Sequence, residues 1–472
     1  MKILFINPPF SKYSGVEGHG GKTAPLNLGY LASYIRQQKP KIEVDILDCE
    51  GLSLSYDQIK EYLNKSGPDI AAITMATPAY NHVISVANVI KSLNKKTIVV
   101  VGGPHPTALP EDVLKKENID FAVIGEGEIT FLELVESLEK NEKIFQQIKG
   151  LAFKNKSEII INQPRELIKN LDILPFPAKD LLPLHKYYLP PTKRNVSGAS
   201  TNMVTSRGCP FRCTFCMAKT IWKRVTRLRS IKNVIDEIEE CAKKYNHRDF
   251  TFNDEFFTAN RKRVIEFCQE LKRRKLNIKW FCQARCGTVD EEMLKIMKSA
   301  GCEKIGFGFE SGDERVLKLM QKDNNLANAR ESAKLCKKAG IEVVGAFILG
   351  YPGETKETVK KTIKFAKELD PATAAFFIAI PFPGTELFKL ATENNYLKKP
   401  IDWETFTPVS NILPPMQIPN FTKKELVKLK KYAYRSFYLR PGYILKKLSE
   451  IRNFGDIKSL LRGLNIFKKI SI

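Results

Sequence analysis

Short apolar runs alternate with segments of helical spacing along the first 150 positions. KILFINP reads as a buried strand that ends in a loop, and LNLGYLASYIRQ follows with helical periodicity. KIEVDILDC alternates and turns, DIAAITMAT is a further buried run, and HVISVANVIKSLN is helix-like. TIVVVGGPHPT breaks at Gly102-Gly103, EDVLKKE is a short helix, DFAVIGEGE is a strand ending in a loop, and ITFLELVESLEK is a last helix. This alternation predicts an α/β, doubly wound, Rossmann-like parallel sheet over residues 1–150. Such sheets bind ligands beyond the carboxyl ends of their strands. Those ends carry Asn7-Pro8-Pro9, Thr74 to Thr77, Gly102-Gly103-Pro104-His105 and Gly125-Glu126-Gly127-Glu128. No G-x-G-x-x-G opens the first helix and no Walker A sequence is present, which argues against an ordinary dinucleotide or ATP site.

Residues 151–195 hold the hairpin-like LAFKNKSEIIINQ and then prolines at 175, 177, 183, 190 and 191, a composition expected of a linker. Alternation resumes over 196–395. TNMVTS, DFTFNDEFFT, KLNIKWFCQARCG, EKIGFGFESGD, IEVVGAFILGYPGET and TAAFFIAIPFPGTEL read as strands, with helical segments between them. Six strand–helix units predict a (β/α)6 partial TIM barrel, with chemistry at the strand carboxyl ends. Ser230 is the expected N-cap of the helix over RLRSIKNVIDEIEECAKKY. Residues 396–472 read as a helical C-terminal region.

Composition fits this picture. The 472 residues are 43% hydrophobic and 27% charged, as in a globular protein of more than one domain. The formal net charge of +24 favours anionic partners, or simply a lysine-rich solvated surface. MKILFINPPF lacks the apolar core and cleavage site of a signal peptide, and no stretch reaches membrane-spanning length. A cytoplasmic location is expected, where the ten cysteines stay reduced.

Cys209, Cys213 and Cys216 crowd into SRGCPFRCTFCM. Disulfides would leave an odd thiol in a reducing compartment. A structural zinc site wants four protein ligands, and no local fourth exists. An iron–sulfur cluster held by three thiolates keeps one iron open for chemistry. The spacing C-x-x-x-C-x-x-C resembles the radical S-adenosylmethionine (radical SAM) superfamily. The resemblance implies a 4Fe–4S cluster whose open iron binds S-adenosylmethionine, reduced by a one-electron donor such as flavodoxin or ferredoxin, and yielding a 5′-deoxyadenosyl radical. Phe215 stands where the family has an aromatic residue before its last cysteine, near the adenosyl group. The order cysteine loop, NDEFF, Arg285, FESGD, GYPGET, PFPGTEL resembles the family's barrel over nearly its full length. By that likeness Asp254 or Glu255 receives the substrate ammonium, Glu310 and Ser311 reach the ribose or carboxylate, and Arg285 binds the carboxylate.

PLNLGYLASYIR, VVVGGPHPTALPEDVL and VIGEGE resemble the cobalamin-binding domain that precedes many radical SAM enzymes. This implies that Thr74 to Thr77, with Gly102 and Gly103, line the groove for the corrin's nucleotide tail. D-x-H-x-x-G is absent: His19, His82 and His105 all fail that pattern and read as turn or surface residues, so the lower corrin face is not held by histidine. Together, residues 1–395 resemble the cobalamin-dependent radical SAM family, whose commonest reaction is methyl transfer to an unactivated carbon. The alternatives are oxidative cyclisation, as in anaerobic porphyrin ring-forming relatives, carbon–carbon coupling, or a non-methylating protein with an empty N-terminal groove.

Cys49, Cys241, Cys268, Cys282, Cys286, Cys302 and Cys336 read as single buried cysteines. Cys282, Cys286 and Cys302 are the weaker candidates for an auxiliary cluster, the first two sharing a face if their strand is regular. Residues 421–472 hold 14 Lys+Arg against 3 Asp+Glu, a formal charge of +11. That region is expected to cap the barrel, with peripheral contact at an acidic inner membrane surface as the second reading and nucleic acid the last, since no RNA-binding module is visible. The substrate is expected to be a small molecule or a lipid, and the sequence does not name it.

Overall fold

A computed structural model describes residues 1–12, 21–142, 144–156, 158–190, 192–195, 198–407, 412–449, 463 and 467. The short apolar runs of the N-terminal unit form β1 (Lys2–Asn7), β2 (Glu43–Asp48), β3 (Ile70–Thr74), β4 (Ile98–Gly102) and β5 (Phe121–Val123). These pair in parallel in the order β2-β1-β3-β4-β5. Helices cover both faces, so the strands are apolar throughout rather than alternating. In β1, Leu4 and Ile6 enter one hydrophobic layer while Ile3 and Phe5 enter the other. The strand order reverses between β1 and β3, where a sheet of this kind opens a crevice.

The N-terminal sheet does not stop at 150. The hairpin of β6 (Leu151–Asn155) and β7 (Glu158–Ile161), expected in the linker, pairs antiparallel onto β5 and extends the sheet to Ile161. The three residues of β5 would otherwise be an open edge, and Leu151, Ala152 and Phe153 bury their side chains against the existing core. The proline-rich connector follows. It inserts Leu171, Leu174, Ala178 and Leu182 into the N-terminal core. Its Lys179 reaches Glu237 of the next unit at 2.6 Å.

The second sheet is wholly parallel and runs in chain order through β8 (Ser200–Met203), β11 (Asp249–Phe252), β12 (Lys279–Ala284), β13 (Cys302–Glu310), β14 (Glu342–Leu349) and β15 (Thr373–Ile378). Six strands agree with the partial barrel. A separate two-residue ladder, β9 (Ser206–Arg207) with β10 (Arg227–Leu228), lies between β8 and β11. The helix Ile231–Lys244 starts where Ser230 Oγ accepts from Asn233 N, and buries Ile231, Val234, Ile235, Ile238 and Cys241 on one face. Phe307, Phe309, Phe347 and Phe376 stack in sequence across β13, β14 and β15, with centroids 5.7, 5.6 and 5.3 Å apart.

The described part of the basic C-terminal region packs against this barrel at its edge. The helix Lys423–Tyr438 lies along the edge strand β15 and buries Leu426, Ala433 and Phe437. Two backbone donors of the edge end on tyrosine hydroxyls, Phe376 N on Tyr434 Oη and Ala374 N on Tyr438 Oη, each at 3.1 Å. The following helix, Pro441–Ser449, leaves Ile444, Leu445 and Leu448 exposed. Most of the tail beyond 449, like His19, lies outside the described residues. Among the described residues no helix is long and apolar enough to cross a membrane.

Candidate active site

The cysteine loop is built before it is filled. The β9–β10 ladder closes it at the base, pairing Arg207 with Arg227 and Ser206 with Leu228. Asp254, fully buried at the end of β11, accepts from Thr205 N (2.7 Å), Thr205 Oγ1 (2.5 Å) and Ser206 Oγ (2.5 Å). Burial raises its pKa, and the three hydrogen bonds work against that rise. Asp254 therefore fixes the loop's entry and presents nothing outward, contrary to the sequence expectation of an ammonium site. Its neighbour Glu255 differs. It accepts from Gly208 N (3.0 Å) and Trp222 Nε1 (2.6 Å) while still facing a cleft. Gly208 has φ +100°, and a Cβ there would sit 2.0 Å from Val225 O, so only glycine fits.

Cys209, Cys213 and Cys216 are unpaired thiols of intermediate exposure. Burial pushes the Cys216 thiol up to about 11 and raises Cys209 as well. Fixed cations stand beside them. Arg285 Nη1 lies 3.9 Å from Cys213 Sγ, its guanidinium stacks 3.5 Å above the Phe211 ring, and Nη2 donates to Lys322 O and to Asp323 O. Arg285 thus faces the cysteine loop. Lys322 and Glu310 form a buried pair at 2.7 Å, and the lysine charge favours the thiolate of Cys216. Thiols near buried cations suit an anionic iron–sulfur cluster. Among the described residues no three His, Cys, Asp or Glu side chains converge as a ligand set for one metal ion. A cubic cluster asks for no such convergence, because each cysteine holds a different iron.

Thr214 straps the loop to the barrel: its N and Oγ1 both donate to Met320 O, and Oγ1 lies 2.7 Å from Tyr351 Oη. Phe215 packs, partly buried, against the core. Glu310 sits at φ +62°, at an irregularity in the pairing of β13 with β14. Ser311 is buried: its Oγ contacts Thr362 Oγ1 at 3.2 Å and accepts from Asp313 N. Cys282 and Cys302 are fully buried within the core. Strand β12 ends at Ala284, so Cys286 lies beyond it and does not share the strand face expected of it.

The crevice of the first sheet and the base of the cysteine loop line one cleft of about 1020 Å³, open mouth included. The N-terminal unit contributes Thr74, Gly102, Gly103 and Gly125 to Glu128, and the barrel contributes Ser206, Arg207, Trp222, Asn253 and Glu255. Gly103 has φ +114°, and its missing side chain admits Met75 O, which would lie 3.0 Å from a Cβ. At Gly125, φ +79°, a Cβ would point into open space. These backbones let a large ligand come close. Thr77 does not line the cleft; its hydroxyl lies 3.3 Å from His105 Nδ1. His82 and His105 are buried rather than surface residues, the first 2.8 Å from Tyr56 Oη. Among the described residues no histidine lines the cleft.

Sequence reasoning missed Lys322, Trp222, Arg207 and Arg227. Lysine and arginine in polar segments carry no pattern that separates a buried ion from a solvated one. Only the spacing of Arg207, directly before Gly208-Cys209, hinted at a role.

Residues 203–366 match the radical SAM superfamily and residues 16–135 match the B12 binding domain. A protein of Pyrococcus horikoshii named as an uncharacterized methyltransferase is 38% identical over 98% of this chain and 98% of its own. An anaerobic magnesium-protoporphyrin IX monomethyl ester cyclase of Rubrivivax gelatinosus is 31% identical over 98% of this chain and 83% of its own. Among solved structures, the radical S-adenosylmethionine methyltransferase TsrM from Kitasatospora setae, with cobalamin and a 4Fe–4S cluster bound, shares the fold at TM-score 0.69 and 19% identity, over 83% of this chain and 75% of that one. OxsB, a cobalamin-dependent S-adenosylmethionine radical enzyme, does so at TM-score 0.68 and 20% identity, over 100% of this chain and 71% of that one.

Proposed function

The chain belongs to the radical SAM superfamily and carries a B12 binding domain ahead of its barrel, and from that premise we propose that it is a cobalamin-dependent radical SAM methyltransferase. The observation that carries the reading is the single cleft bordered by both the strand ends of the first sheet and the base of the cysteine loop. Cys209, Cys213 and Cys216 are the residues that hold the 4Fe–4S cluster. Thr74, Gly102, Gly103 and Gly125 take the nucleotide tail of cobalamin. When bound, cluster and S-adenosylmethionine supply a carbon radical and cobalamin supplies a methyl group.

The chain's own residues orient and shield. Arg285 and Lys322 offset the charge of the thiolates, and Phe211 holds Arg285 flat. Asp254 fixes the entry to the loop, and Glu255 ties Gly208 to Trp222 at the cleft wall. Leu26, Leu28, Leu31 and Phe131 give the cleft an apolar wall.

Replacing all three loop cysteines by alanine tests the radical step: 5′-deoxyadenosine formation from S-adenosylmethionine should vanish, and its persistence would refute the assignment. A second reading, oxidative ring formation, is supported by the likeness to the Rubrivivax cyclase. Methylcobalamin during turnover, with a product heavier by one methyl group, separates the two. A flavodoxin- or ferredoxin-type protein is the reductant this chemistry calls for. The tail charge and the exposed Ile444, Leu445 and Leu448 support peripheral contact with an acidic membrane surface, and with it a lipid or lipid-borne substrate. Co-sedimentation with acidic but not neutral liposomes checks that contact; equal recovery from both contradicts it.

A further inference from the structure

Four buried charges at the junction of the two units stand outside the chemistry assigned above. Arg207 and Arg227 face each other across the ladder that closes the cysteine loop. Glu126 and Glu128 stand where β5 gives way to the helix Gly127–Glu139, on the wall of the cleft. Arg207 forks between them, Nη1 to Glu126 Oε1 and Nη2 to Glu128 Oε1, both at 2.6 Å. Arg227 Nη1 reaches the other oxygen of Glu126 at 2.7 Å. All four residues are less than a tenth exposed. The connector joins in, with Ile168 N donating to Glu126 (2.8 Å) and Ile168 O accepting from Arg227 (2.7 Å).

The contacts continue toward the cysteines. The Trp222 ring lies 5.9 Å from the Arg207 guanidinium and 5.6 Å from that of Arg227. Its indole N–H bonds to Glu255, which accepts from Gly208 N, the residue before Cys209. A path of direct contacts therefore runs from the cleft wall at Gly125–Glu128 to the first cysteine. The square is neutral as a whole but not in its parts. Removing one member strands a buried charge, so the loop cannot slide along the cleft wall by small steps. The planar fork of arginine also fixes direction, which a lysine at either position would not.

We propose that Glu126, Glu128, Arg207 and Arg227 are positioning residues that lock the cysteine loop to the corrin cleft, so that filling the cleft orders the loop. The inference rests on the reading of the cleft as a cobalamin site. Coupling of this kind is reciprocal: a reconstituted cluster must tighten cobalamin binding by the same factor by which cobalamin stabilises the cluster.

Hydrogen exchange on the full-length protein, with hydroxocobalamin as the probe, tests it at residues 209–221, which belong to the loop but do not line the cleft. In the unmodified protein hydroxocobalamin slows exchange at residues 124–130 and, through the square, about fivefold or more at residues 209–221. In Arg227→Gln, a position outside the cleft lining, the protection at 124–130 stays and that at 209–221 is lost. Cluster reconstitution then no longer tightens hydroxocobalamin binding. Arg227→Lys, which keeps the charge and loses the planar guanidinium, gives an intermediate effect and carries the test should Arg227→Gln fold poorly. Undiminished protection of 209–221 in both variants overturns the inference. Protection confined to 124–130 in the unmodified protein also overturns it while leaving the cofactor reading intact. No binding or protection anywhere overturns both.

Discussion

Gly208→Ala is the sharpest single perturbation of the cysteine loop. At φ +100° an alanine occupies backbone space reserved for glycine, and its Cβ would lie 2.0 Å from Val225 O where ordinary contact starts at 3.4 Å. Methyl and carbonyl must part by more than an ångström. Val225 stands two residues from Arg227, so that movement opens the β9–β10 ladder and withdraws Gly208 N from Glu255. Backbone strain of about 1–3 kcal/mol and a lost hydrogen bond to a charged group of about 1.5–3 kcal/mol give about 2.5–6 kcal/mol. The sheets keep their own cores, so the variant should still fold cooperatively, at a lowered melting temperature. Its cluster occupancy should drop more than about tenfold, since that free energy exceeds 1.4 kcal/mol. Iron and acid-labile sulfide counted after anaerobic reconstitution, beside a melting curve of the apo-protein, make the assay. Full iron content in the variant would refute the reasoning.

Arg285→Lys should leave the fold intact but make the cluster more labile to chelator, because lysine neither stacks on Phe211 nor forks to Lys322 and Asp323; unchanged iron loss would contradict this. Tyr434→Phe should cost about 1–3 kcal/mol in urea unfolding, because Phe376 N on the edge strand loses its acceptor; no change in midpoint would contradict that. Burial pushes the Glu354 carboxyl from 4.5 up to about 7. Between those values the folded chain keeps a proton that the unfolded chain has released, so stability falls as pH rises through that window, by about 3 kcal/mol. Glu354→Gln should flatten that slope in unfolding measured from pH about 4.5 to about 7.5, and a slope equal to that of the unmodified protein would contradict it.

Periodicity found the strands well because both sheets are buried on two faces, and continuous runs such as KILFIN and TIVVV have few other homes. It misplaced LAFKNKSEIII, because a hairpin that completes a neighbouring sheet looks like one that stands alone. The cysteine triplet, on which the proposed cluster site rests, stands out in the sequence because ligand spacing survives in one dimension. The carboxylates were not: Asp254 and Glu255 are adjacent in sequence, yet one is consumed by Thr205 and Ser206 and the other borders the cleft. Thr77 and Ser311 show a related ambiguity. A hydroxyl at a strand end can turn to a ligand or to a neighbouring side chain, and His105 and Thr362 are not near them in sequence. The charge square was invisible, since its acidic half lies some eighty residues before its basic half.

The account stands on one protein holding both cofactors against one cleft. Anaerobic purification with hydroxocobalamin, followed by iron, sulfide and corrin counts on the same sample, tests that most directly. The account predicts about four irons and about one corrin per chain, with the iron lost and the corrin kept when Cys209, Cys213 and Cys216 are all alanine. A colourless protein with neither iron nor corrin would contradict it.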